Sequence, residues 1–505
     1  MAEPAPLPPP GPGAPTPPIA FGGAGPVTAR LATPAVEVPD AFVERLRGVC
    51  AEVDAEPAGL AEASRDWWPL AMTWATGGQV GGLAALVARP RTAGEVAAVL
   101  AACSDARVPV TAAAGRSGVC GASVPVFGGV VLDLCGVAGV VDVDDASLTV
   151  DVRPGTFGDR LEAELRDQGL TLGHWPQSMA LSTVGGWLAC RSAGQLSTRY
   201  GKIEDLVTGL DVALADGTVI TTGGAPRAAV GPDLTQLFVG SEGTLGVITG
   251  ARLRLHAAPT AERREAWAFA SFADGLDACR RIVRRGARPA VLRLYDAAEA
   301  QRSYGTGDLH LLLVLDEGDR ALVEPTMEVV AEECSGSAAP LDAGLVGRWL
   351  EHRNDVSALE ALIGRGYVVD TMEVAARWAD LPAVYERTTA AIAGVEHTLA
   401  ASAHQSHAYG DGACLYFSFG GVPPAEERDA YYRAVWDAGT RAALSAGAVL
   451  SHHHGVGLNR ARFVEEALGP AFGVLAAVKA ALDPAGVLNP GKLGLPSPFG
   501  AVGWP

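Results

Sequence analysis

The spacing of apolar and polar positions divides the chain into helical and strand-like stretches. From Asp40 the segment AFVERLRGVCAEV has apolar residues at helical spacing, and TAGEVAAVLAACSDA is predicted to form a helix with Thr92 as its N-cap. Runs bounded by turn residues predict strands in VPVTAAAG, GGVVLDL, LTVDVRPG and LVTGLDVALADGTVITT. This mixture of short helices and strands predicts an α+β domain before Pro259.

The pattern changes after Pro259, where AERREAWAFASFADGLDACRRIVRRG opens a stretch of helices and of strands such as LHLLLVLD, with few glycine loops. The first residues are dominated by Pro, Ala and Gly, which favours extended chain and supplies no core. We therefore divide the chain into a disordered tail at 1–35, a helical lead-in at 36–81, an α+β domain at 82–258, a second α+β domain at 259–430 and a helical C-terminal segment at 431–505 that returns to the first domain.

Charge and cysteine usage narrow the class of protein. The formal net charge of −18 is spread without a basic run, so the sequence offers no electrostatic surface for nucleic acid or anionic lipid. The eight cysteines form no C-x-x-C pair, which fits reduced thiols better than a disulfide framework or a zinc ribbon. No apolar run reaches the roughly 18 residues that span a bilayer, and the first residues lack a secretion signal. We expect a cytoplasmic protein with no transmembrane segment and no nucleic-acid partner.

Three glycine-rich segments lie between residues 82 and 258. In the first, Ala113 to Gly121, glycines after a strand let successive backbone N–H groups cradle a pyrophosphate, although a plain surface turn explains this segment at least as well. The second, at 176–201, places many hydroxyl side chains beside glycines, which suits close approach to a flat cofactor with polar edges. The third, at 239–248, contains Glu242, whose carboxylate can accept from ribose hydroxyls; a capped turn is the structural alternative.

Together these segments resemble the FAD-binding signatures of the PCMH-type, vanillyl-alcohol-oxidase-like flavoproteins. The similarity is closest to the alkyldihydroxyacetonephosphate synthase branch and covers roughly residues 82–495. The matching motifs are STVGGW (182–187), YGKIEDLV (200–207), GSEGTLGVIT (240–249), DGACLYF (411–417) and SHHHGVG (451–457). The resemblance implies a PCMH-type FAD-binding domain of two α+β subdomains, an α+β cap domain over the flavin, and a C-terminal segment that completes the active site.

The resemblance assigns FAD to the three glycine-rich segments. No flavin-linking His occurs in them, which favours non-covalent FAD and leaves linkage through Cys120 or Cys190 open. Ala113 and Ala114 stand where the family has glycines, and Arg116 offers a partner for a phosphate. The predicted FAD-binding residues are Ala113, Ala114, Gly115, Arg116, Ser117, Gly121, Gln177, Ser178, Thr183, Gly185, Gly186, Cys190, Arg191, Ser192, Ala193, Glu242, Gly243, Thr244, Leu245, Gly246, Val247 and Ile248.

Tyr416 and a run of histidines are the candidate catalytic residues. Tyr416 lies in the strand-like run ACLYFSF, where a buried Tyr with a satisfied hydroxyl is the structural alternative. In the synthase branch this motif position holds the acid–base tyrosine, and proton transfer is reasonable if a neighbour lowers its pKa. His452, His453 and His454 follow the strand-like GAVLS, so on an extended backbone the middle ring points opposite to the outer two. The resemblance places them in the active site, for substrate binding and proton transfer.

Further histidines lie upstream, in HQSHAYGDGA. His404 and His407 are predicted to bind substrate in the same pocket, and exposed loop histidines are the alternative. No Cys or acidic residue near the histidine run completes a zinc ligand set, so we predict no bound metal.

One position departs from the synthase pattern and opens an alternative function. Leu359 stands where that branch has its phosphate-binding Arg, and a leucine cannot bind phosphate. Arg353, in WLEHRND, matches a W-x-x-x-R segment that carries the carboxylate-binding Arg of D-lactate and glycolate dehydrogenases, with a surface salt bridge as the structural alternative.

Three hypotheses therefore stand. The first is alkyl transfer of the ether-lipid type on a lipid substrate, through an adduct at flavin N5, as the resemblance to the synthase implies. The second is FAD-dependent oxidation of a 2-hydroxy acid such as D-lactate or glycolate by a dehydrogenase or oxidase. The third is a flavin-binding protein without turnover. Homodimers are common among such enzymes, so a homodimer stays open by analogy.

Overall fold

The computed structural model of the protein describes residues 19–23, 25–224 and 226–504. The first elements in the chain are β1 (Thr28–Ala29), α1 (Asp40–Val49), β2 (Val53–Asp54), α2 (Pro57–Ala63), α3 (Pro69–Ala75), β3 (Gln79–Val80), β4 (Leu86–Ala88), α4 (Ala93–Ala106), β5 (Val110–Ala113) and β6 (Val130–Asp133). β2, β4, β6 and β5 form a sheet in that order, with β4, β6 and β5 parallel. The predicted N-cap of α4 is confirmed, because the Thr92 hydroxyl accepts the Glu95 backbone N–H at 3.2 Å.

Residues 19–23 and 25–35 contribute buried side chains to the folded protein. Ile19 and Leu31 are only 5% and 4% exposed, and β1 pairs with β3. The prediction of a disordered tail is therefore wrong for residues 19–23 and 25–35, because apolar residues between the prolines are buried there, which the overall composition does not reveal. The prediction for residues 1–18 lies outside the described residues.

The second part of the first domain is an antiparallel sheet with short helices. Its elements are β7 (Val140–Asp144), β8 (Thr149–Val152), α5 (Gly158–Arg166), β9 (Leu170–Thr171), α6 (Val184–Cys190), α7 (Ser197–Tyr200), α8 (Ile203–Leu206), β10 (Val207–Ala213), β11 (Val219–Gly223), α9 (Leu234–Phe238), β12 (Val247–Arg254) and β13 (His256–Ala257). The strand order in the larger sheet is β11-β10-β12-β8-β7, and β13 pairs with β9. The predicted strands of LVTGLDVALADGTVITT are confirmed as the hairpin β10–β11.

A seven-stranded antiparallel sheet forms the second domain, which we call the cap. Its elements are β14 (Ala261–Phe269), α10 (Phe272–Arg284), β15 (Val291–Tyr295), α11 (Ala297–Tyr304), β16 (His310–Gly318), α12 (Arg320–Ser335), β17 (Ala338–Leu341), α13 (Gly344–His352), α14 (Ser357–Gly364), β18 (Val368–Arg377), α15 (Leu381–Ala393), β19 (Thr398–Ala408) and β20 (Gly412–Gly421). The strand order is β17-β14-β16-β15-β19-β20-β18. Apolar residues of this sheet and of α10, α12 and α15 share one core.

The last part of the chain contacts both domains. Its helices are α16 (Arg428–Ser445), α17 (Val464–Leu468) and α18 (Ala471–Leu482). Helix α16 packs on α15 and β18 of the cap, whereas Val487 and Leu488 are buried in the core of the first sheet. The C-terminal segment thus crosses from the cap back to the first domain. Among the described helices, none combines the length and apolar character needed to cross a bilayer.

Candidate active site

A cavity of about 860 Å³ lies where the three glycine-rich segments meet the cap. Its size is within the range of ordinary cofactor and substrate pockets. The segments supply residues 112–120, 176–178 and 241–243 to the wall, and the cap supplies residues of β15, α13 and β20. The sequence-predicted segments are therefore brought together around one cavity, although they lie far apart in the chain.

Most of the predicted site residues line this cavity. From the FAD set these are Ala113, Ala114, Gly115, Arg116, Ser117, Gln177, Ser178, Thr183, Gly185, Gly186, Cys190, Ser192, Ala193, Glu242, Gly243, Gly246, Val247 and Ile248. From the catalytic and substrate sets they are Arg353, His404, His407, Tyr416, His453 and His454. Gly121, Arg191, Thr244, Leu245 and His452 are not among the lining residues. Arg191 ends α6 and contacts Gln236, which explains why its side chain lies outside the wall.

The first glycine-rich loop presents free backbone donors to the cavity. Within the described protein, the backbone N–H groups of residues 115–118 make no hydrogen bond. A methyl group at Gly115 would lie 2.0 Å from the Leu181 carbonyl oxygen, so only glycine permits this close approach. Successive unpaired N–H groups of a loop that follows a strand fit the pyrophosphate of a dinucleotide. The Arg116 guanidinium lies 3.4 Å from the Asp133 carboxylate, so this side chain already has an acidic partner.

The second segment forms the short helix α6 and its approach. The Thr183 hydroxyl caps α6 at Gly186, and the Ser182 hydroxyl accepts the Trp187 indole N–H at 2.7 Å. The Cys190 thiol donates to the Gly186 carbonyl at 3.1 Å, and burial raises its pKa to about 12. The Ser182 and Thr183 hydroxyls, which the sequence predicts beside a cofactor, therefore already accept hydrogen bonds from the protein.

The third segment uses Glu242 differently from the prediction. Its carboxylate accepts the backbone N–H groups of Val456 and Gly457 at 2.6 and 2.9 Å. Its own backbone N–H donates to the Ala189 carbonyl at 2.9 Å. Burial raises the Glu242 pKa, and the two backbone donors oppose that shift. Glu242 thus connects the second and third segments to the C-terminal part of the chain, and its oxygens are already engaged by backbone donors rather than free for a ribose.

The histidine loop, residues 451–457, is held between two buried carboxylates. Glu373 on β18 of the cap accepts the backbone N–H groups of residues 452–454 at 2.9, 3.3 and 2.5 Å. Glu242 of the first domain holds residues 456 and 457, as described above. Each domain therefore supplies one carboxylate, and the loop joins them over the cavity.

This arrangement corrects the expected backbone of the histidine run. Residues 448–451 form no strand, and residues 452–454 lie in bends. Neighbouring rings consequently contact each other, with ring centres 5.1 Å apart for His452 and His453 and 4.5 Å apart for His453 and His454. The extended alternation predicted from GAVLS is wrong, because the Glu373 carboxylate gathers three successive backbone N–H groups on one side.

His454 and Tyr416 face each other in the cavity. The Tyr416 hydroxyl lies 3.4 Å from His454 Nε2 and accepts from the Thr371 hydroxyl at 3.0 Å. Burial lowers the His454 pKa to about 4, against the raising effect of Glu373, so the imidazole is neutral near pH 7. Burial raises the Tyr416 pKa, and the Thr371 hydrogen bond only partly opposes that shift. The neighbour expected to lower the Tyr416 pKa below its ordinary value is not found among the described residues, so the phenol stays protonated.

Glu373 is ionised beside His454. Burial alone would raise its pKa, but Arg460, His454 and the backbone donors lower the pKa to about 2. His454 Nδ1 lies 3.6 Å from the Glu373 carboxylate. A fixed negative charge at this distance would stabilise an imidazolium once His454 has taken up a proton.

The histidines of HQSHAYGDGA are buried on β19, so the exposed-loop alternative is wrong. His404 Nδ1 lies 3.0 Å from Glu299, and its Nε2 receives a hydrogen bond from Arg293 at 2.6 Å. Because both ring nitrogens are occupied, His404 holds Arg293 in place. His407 Nδ1 contacts the Ser197 hydroxyl at 2.6 Å, and its ring stacks on His452 with centres 5.1 Å apart.

Three of these rings are close enough to share one ion. His407, His452 and His453 each offer a nitrogen atom, and these atoms lie within 4.8 Å of one another. The sequence predicts His407 only as a substrate-binding residue. Its proximity to His452 and His453 could not be predicted, because these residues are distant in the chain. That no metal binds therefore stays a prediction.

Arg353 lies at the junction of the two domains. Its guanidinium carbon is 5.8 Å from the ring centre of Trp175 in the first domain and 5.4 Å from that of Trp349 in the cap. Among the described residues no carboxylate lies within salt-bridge distance of Arg353, although the charges of Glu317 and Glu262 act on it from farther away and raise its pKa against the effect of burial. The surface salt bridge that was the structural alternative is therefore not formed by described residues, and the guanidinium edges stay available to a ligand.

Leu359 lies in a different environment. It packs in an apolar cluster with Ile19, Met72 and Ile363. Such surroundings cannot hold a phosphate, as the residue type already predicted. Neighbours in this cluster, among them Val119 and Val356, line the cavity and give that part of its wall an apolar character.

Sequence reasoning missed three residues that shape the site. Arg293 is the charged position in the otherwise apolar run VLRLY, and that interruption was the signal for a cavity residue. Glu373 and Arg460 form an ion pair at 3.1 Å with neither side chain exposed. They lie 87 positions apart in the chain, so no local pattern connects them.

Comparison with known proteins agrees with this architecture. Residues 84–223 match the family model described as an FAD binding domain, and residues 258–493 match the C-terminal domain of FAD linked oxidases. The FAD-linked oxidoreductase YgcU of Escherichia coli (strain K12) is 30% identical over 404 residues, which cover 76% of this chain and 83% of the relative. A fold of this kind, with three segments around a dinucleotide-sized cavity, defines a two-domain FAD-dependent enzyme. The chain belongs to the FAD-linked oxidase family.

Other relatives carry different names. Alkyldihydroxyacetonephosphate synthase of Dictyostelium discoideum is 29% identical over 455 residues, which cover 82% of this chain and 74% of the relative. The glycolate oxidase subunit GlcD of Bacillus subtilis (strain 168) is 28% identical over 426 residues, with coverage of 81% and 88%. The expected FAD cofactor and enzymatic character are confirmed, and the hypothesis of a flavin protein without turnover is not supported.

Solved structures confirm the expected fold class. A structure of alkyldihydroxyacetonephosphate synthase superimposes with a TM-score of 0.75 at 25% identity and covers 90% of this chain and 85% of that chain. p-Cresol methylhydroxylase superimposes with a TM-score of 0.75 at 18% identity, covers 92% of this chain and 99% of that chain, and bears on the fold alone. The protein thus has the predicted PCMH-type α+β architecture.

Proposed function

We propose that this enzyme oxidises a small 2-hydroxy acid, with Arg353 binding the carboxylate and His454 accepting the hydroxyl proton. The observation that carries the proposal is the unpaired guanidinium of Arg353 in the cavity wall. A half-buried cation without a direct salt bridge is costly unless a ligand supplies the negative charge, and Glu317 and Glu262 act on Arg353 only from beyond salt-bridge distance. Burial also lowers the Arg353 pKa, which an anionic ligand would counteract. The relative GlcD is named for a glycolate oxidase, an activity of this class.

The cation–π contacts of Arg353 support the same role. Two indole rings lie within cation–π distance of the guanidinium carbon, which would position the side chain for binding a carboxylate. Arg293 lies in the same wall and donates to neutral partners, Tyr295 at 2.7 Å and His404 at 2.6 Å. Among the described residues, Arg293, Arg348 and Arg353 line the cavity without a salt bridge to a carboxylate, which favours an anionic substrate.

His454 is suited to remove the hydroxyl proton. Its imidazole is neutral because burial lowers the pKa to about 4. Nε2 faces the cavity at 3.4 Å from the Tyr416 hydroxyl, a distance long enough for a substrate hydroxyl to compete. After proton transfer, the ionised Glu373 at 3.6 Å from Nδ1 would stabilise the imidazolium. The protonated Tyr416 would donate a hydrogen bond to the substrate oxygen.

We further propose that the cavity-lining residues of the three glycine-rich segments bind FAD without a covalent link. The free N–H groups of residues 115–118 would hold the pyrophosphate. When bound, FAD supplies the electron acceptor for oxidation of the hydroxyl-bearing carbon. The net charge and the eight free cysteines, six of them buried, support a cytoplasmic enzyme without a nucleic-acid partner.

Alkyl transfer of the ether-lipid type is the second candidate. The adjacency of Tyr416 and His454 favours it, since that motif pair carries the resemblance to the synthases. A relative named alkyldihydroxyacetonephosphate synthase spans most of the chain. Against this candidate, Leu359 packs among apolar side chains where the synthase branch has its phosphate-binding Arg.

The two candidates differ in whether the substrate loses electrons. Purified protein loaded with FAD is mixed anaerobically with glycolate, D-lactate and L-lactate, and separately with acyl-dihydroxyacetone phosphate plus a fatty alcohol. Our proposal predicts loss of oxidised-flavin absorbance with one of the hydroxy acids and formation of the 2-oxo acid. An ether-linked product without any hydroxy-acid reaction would contradict it and support alkyl transfer.

A further inference from the structure

The segment after α18 lies against the strand that leads into the first glycine-rich loop. The backbone N–H of Val110 on β5 donates to the Val487 carbonyl at 2.9 Å, and that of Asn489 donates to the Val110 carbonyl at 2.8 Å. The segment therefore extends the first sheet as a parallel bridge beside β5. We call residues 487–492 the C-terminal clasp.

The side chain of Asn489 joins two of the FAD segments. It is 1% exposed, and its amide nitrogen donates to the Ala122 carbonyl at 3.0 Å and to the Glu242 carbonyl at 2.7 Å. An amide nitrogen has two N–H donors, so both are used. Ala122 follows the first glycine-rich loop, Glu242 lies in the third segment, and both line the cavity. One side chain thus fixes the spacing of loops that are 120 positions apart in the sequence.

Two lysines strengthen the same connection. Lys492 has no exposed surface, and its Nζ donates to the Val124 carbonyl at 2.8 Å and to the Asn489 amide oxygen at 3.3 Å. Lys479 on α18 donates to the Thr244 and Leu488 carbonyls, both at 2.8 Å. Lysines buried this deeply are rare unless they are hydrogen-bonded. Lys479 also pairs with Asp483 and contacts the backbone of the third segment. Lys492 contacts the backbone just after the first segment, and burial lowers its pKa to about 7.

We propose that Asn489 and Lys492 are positioning residues for FAD, because the C-terminal clasp fixes the first and third segments at the spacing that the cofactor needs. The clasp contacts backbone carbonyls and not the cavity itself, so its effect on FAD passes through the loops. Without the clasp, the loops would become ordered only when FAD binds. The entropy cost of that ordering would weaken the affinity for FAD.

The first test compares FAD affinity of apoprotein variants by quenching of flavin fluorescence. Asn489→Ala removes both N–H donors, and Lys492→Met removes the amine donors at similar side-chain length. We expect Asn489→Ala to weaken FAD binding by about tenfold or more, since two buried hydrogen bonds are lost. Tyr431→Phe is the matched control, because it removes a hydrogen bond to Thr398 in the cap. It should leave the FAD dissociation constant unchanged.

A second measurement needs no variant. Hydrogen–deuterium exchange of the full chain is compared with and without FAD. The clasp should exchange more slowly with FAD bound, together with residues 120–124 and 242–244, whereas α16 should not change. If the clasp exchanges equally in both states, or if Asn489→Ala lowers the apoprotein melting temperature while FAD binds as in the wild type, the clasp is structural only and the proposal is wrong.

Discussion

Glu373 and Arg460 form an ion pair in which neither side chain has exposed surface, and the same carboxylate accepts the backbone N–H groups of the histidine loop. The cap therefore fixes the histidine loop by charge and by hydrogen bonds together. A mutation of Glu373 should consequently affect both stability and the geometry of His454.

Glu373→Gln tests this double role. Loss of one partner leaves Arg460 buried without its counter-charge, which should lower the free energy of unfolding by about 3–5 kcal/mol. Urea unfolding monitored by tryptophan fluorescence measures this difference. Glu44→Gln is the control, because its pair with Arg47 is exposed at 72% and 52% and should change stability by less than about 1 kcal/mol. Equal losses for the two variants would contradict the structural role of Glu373.

The pH profile tests the assignment of His454. A base must be unprotonated, so kcat/KM should fall only as the pH approaches the His454 pKa of about 4. Between about pH 5.5 and 7.5 the profile should show no acid limb, unlike an ordinary histidine with a pKa of about 6.5. His454→Asn should lower kcat without shifting the FAD dissociation constant. A limb near pH 6.5 that disappears in His454→Asn would show that the imidazole is not buried as described.

The sequence predicts those parts of the structure that depend on contacts between residues close together in the chain, and it does not predict those that depend on distant residues. Helix α4, strands β5 and β6 and the β10–β11 hairpin follow from local periodicity and turn residues, so they could be predicted. The resemblance to the flavoprotein family predicted that the three glycine-rich segments lie around one cofactor site. The histidine loop could not be predicted, because its backbone is set by Glu373, which lies 79 to 81 positions away.

The same limit applies to individual site residues. Glu242 matches the residue type expected for a ribose ligand, but its carboxylate is directed to backbone donors 214 and 215 positions away. The raised pKa of Tyr416 depends on burial, which a single strand pattern does not reveal. Arg353 was predicted from its motif, whereas its position near two indole rings depends on the packing of both domains.

Trp175 should position Arg353 from across the domain boundary. Its replacement by leucine removes one of the two rings that hold the guanidinium, and a cation–π contact contributes about 0.5–2 kcal/mol. We expect Trp175→Leu to raise the KM for the anionic substrate by about two- to thirtyfold with a smaller change in kcat. Steady-state kinetics measure the split. Trp504→Leu, which removes the ring beside Arg433, is the control and should leave KM unchanged. A fall in kcat at constant KM would argue against a role in substrate binding.

The link between protein and flavin is tested by denaturation. Burial raises the pKa of Cys120 well above its ordinary value and that of Cys190 to about 12. A thiol that is protonated at neutral pH is a poor nucleophile toward the cofactor. We expect acid precipitation of the loaded enzyme to release all of the FAD into the supernatant, and the polypeptide mass to equal that of the sequence. A protein mass increased by one FAD would overturn the non-covalent assignment.

The most direct test of the proposed function is the anaerobic reaction of the FAD-loaded enzyme with a 2-hydroxy acid, compared between wild type and Arg353→Met. Methionine keeps the apolar contact with the two indole rings but cannot bind a carboxylate. The control is Arg377→Met, whose side chain is 79% exposed. We predict that a 2-hydroxy acid removes the oxidised-flavin absorbance in the wild type and the control. In Arg353→Met, the hydroxy-acid concentration at half-saturation should be about tenfold or more above that of the wild type, because the charge-assisted hydrogen bonds between Arg353 and the substrate carboxylate are lost. Identical substrate dependence in all three proteins, or no loss of absorbance with any hydroxy acid, would contradict the proposal.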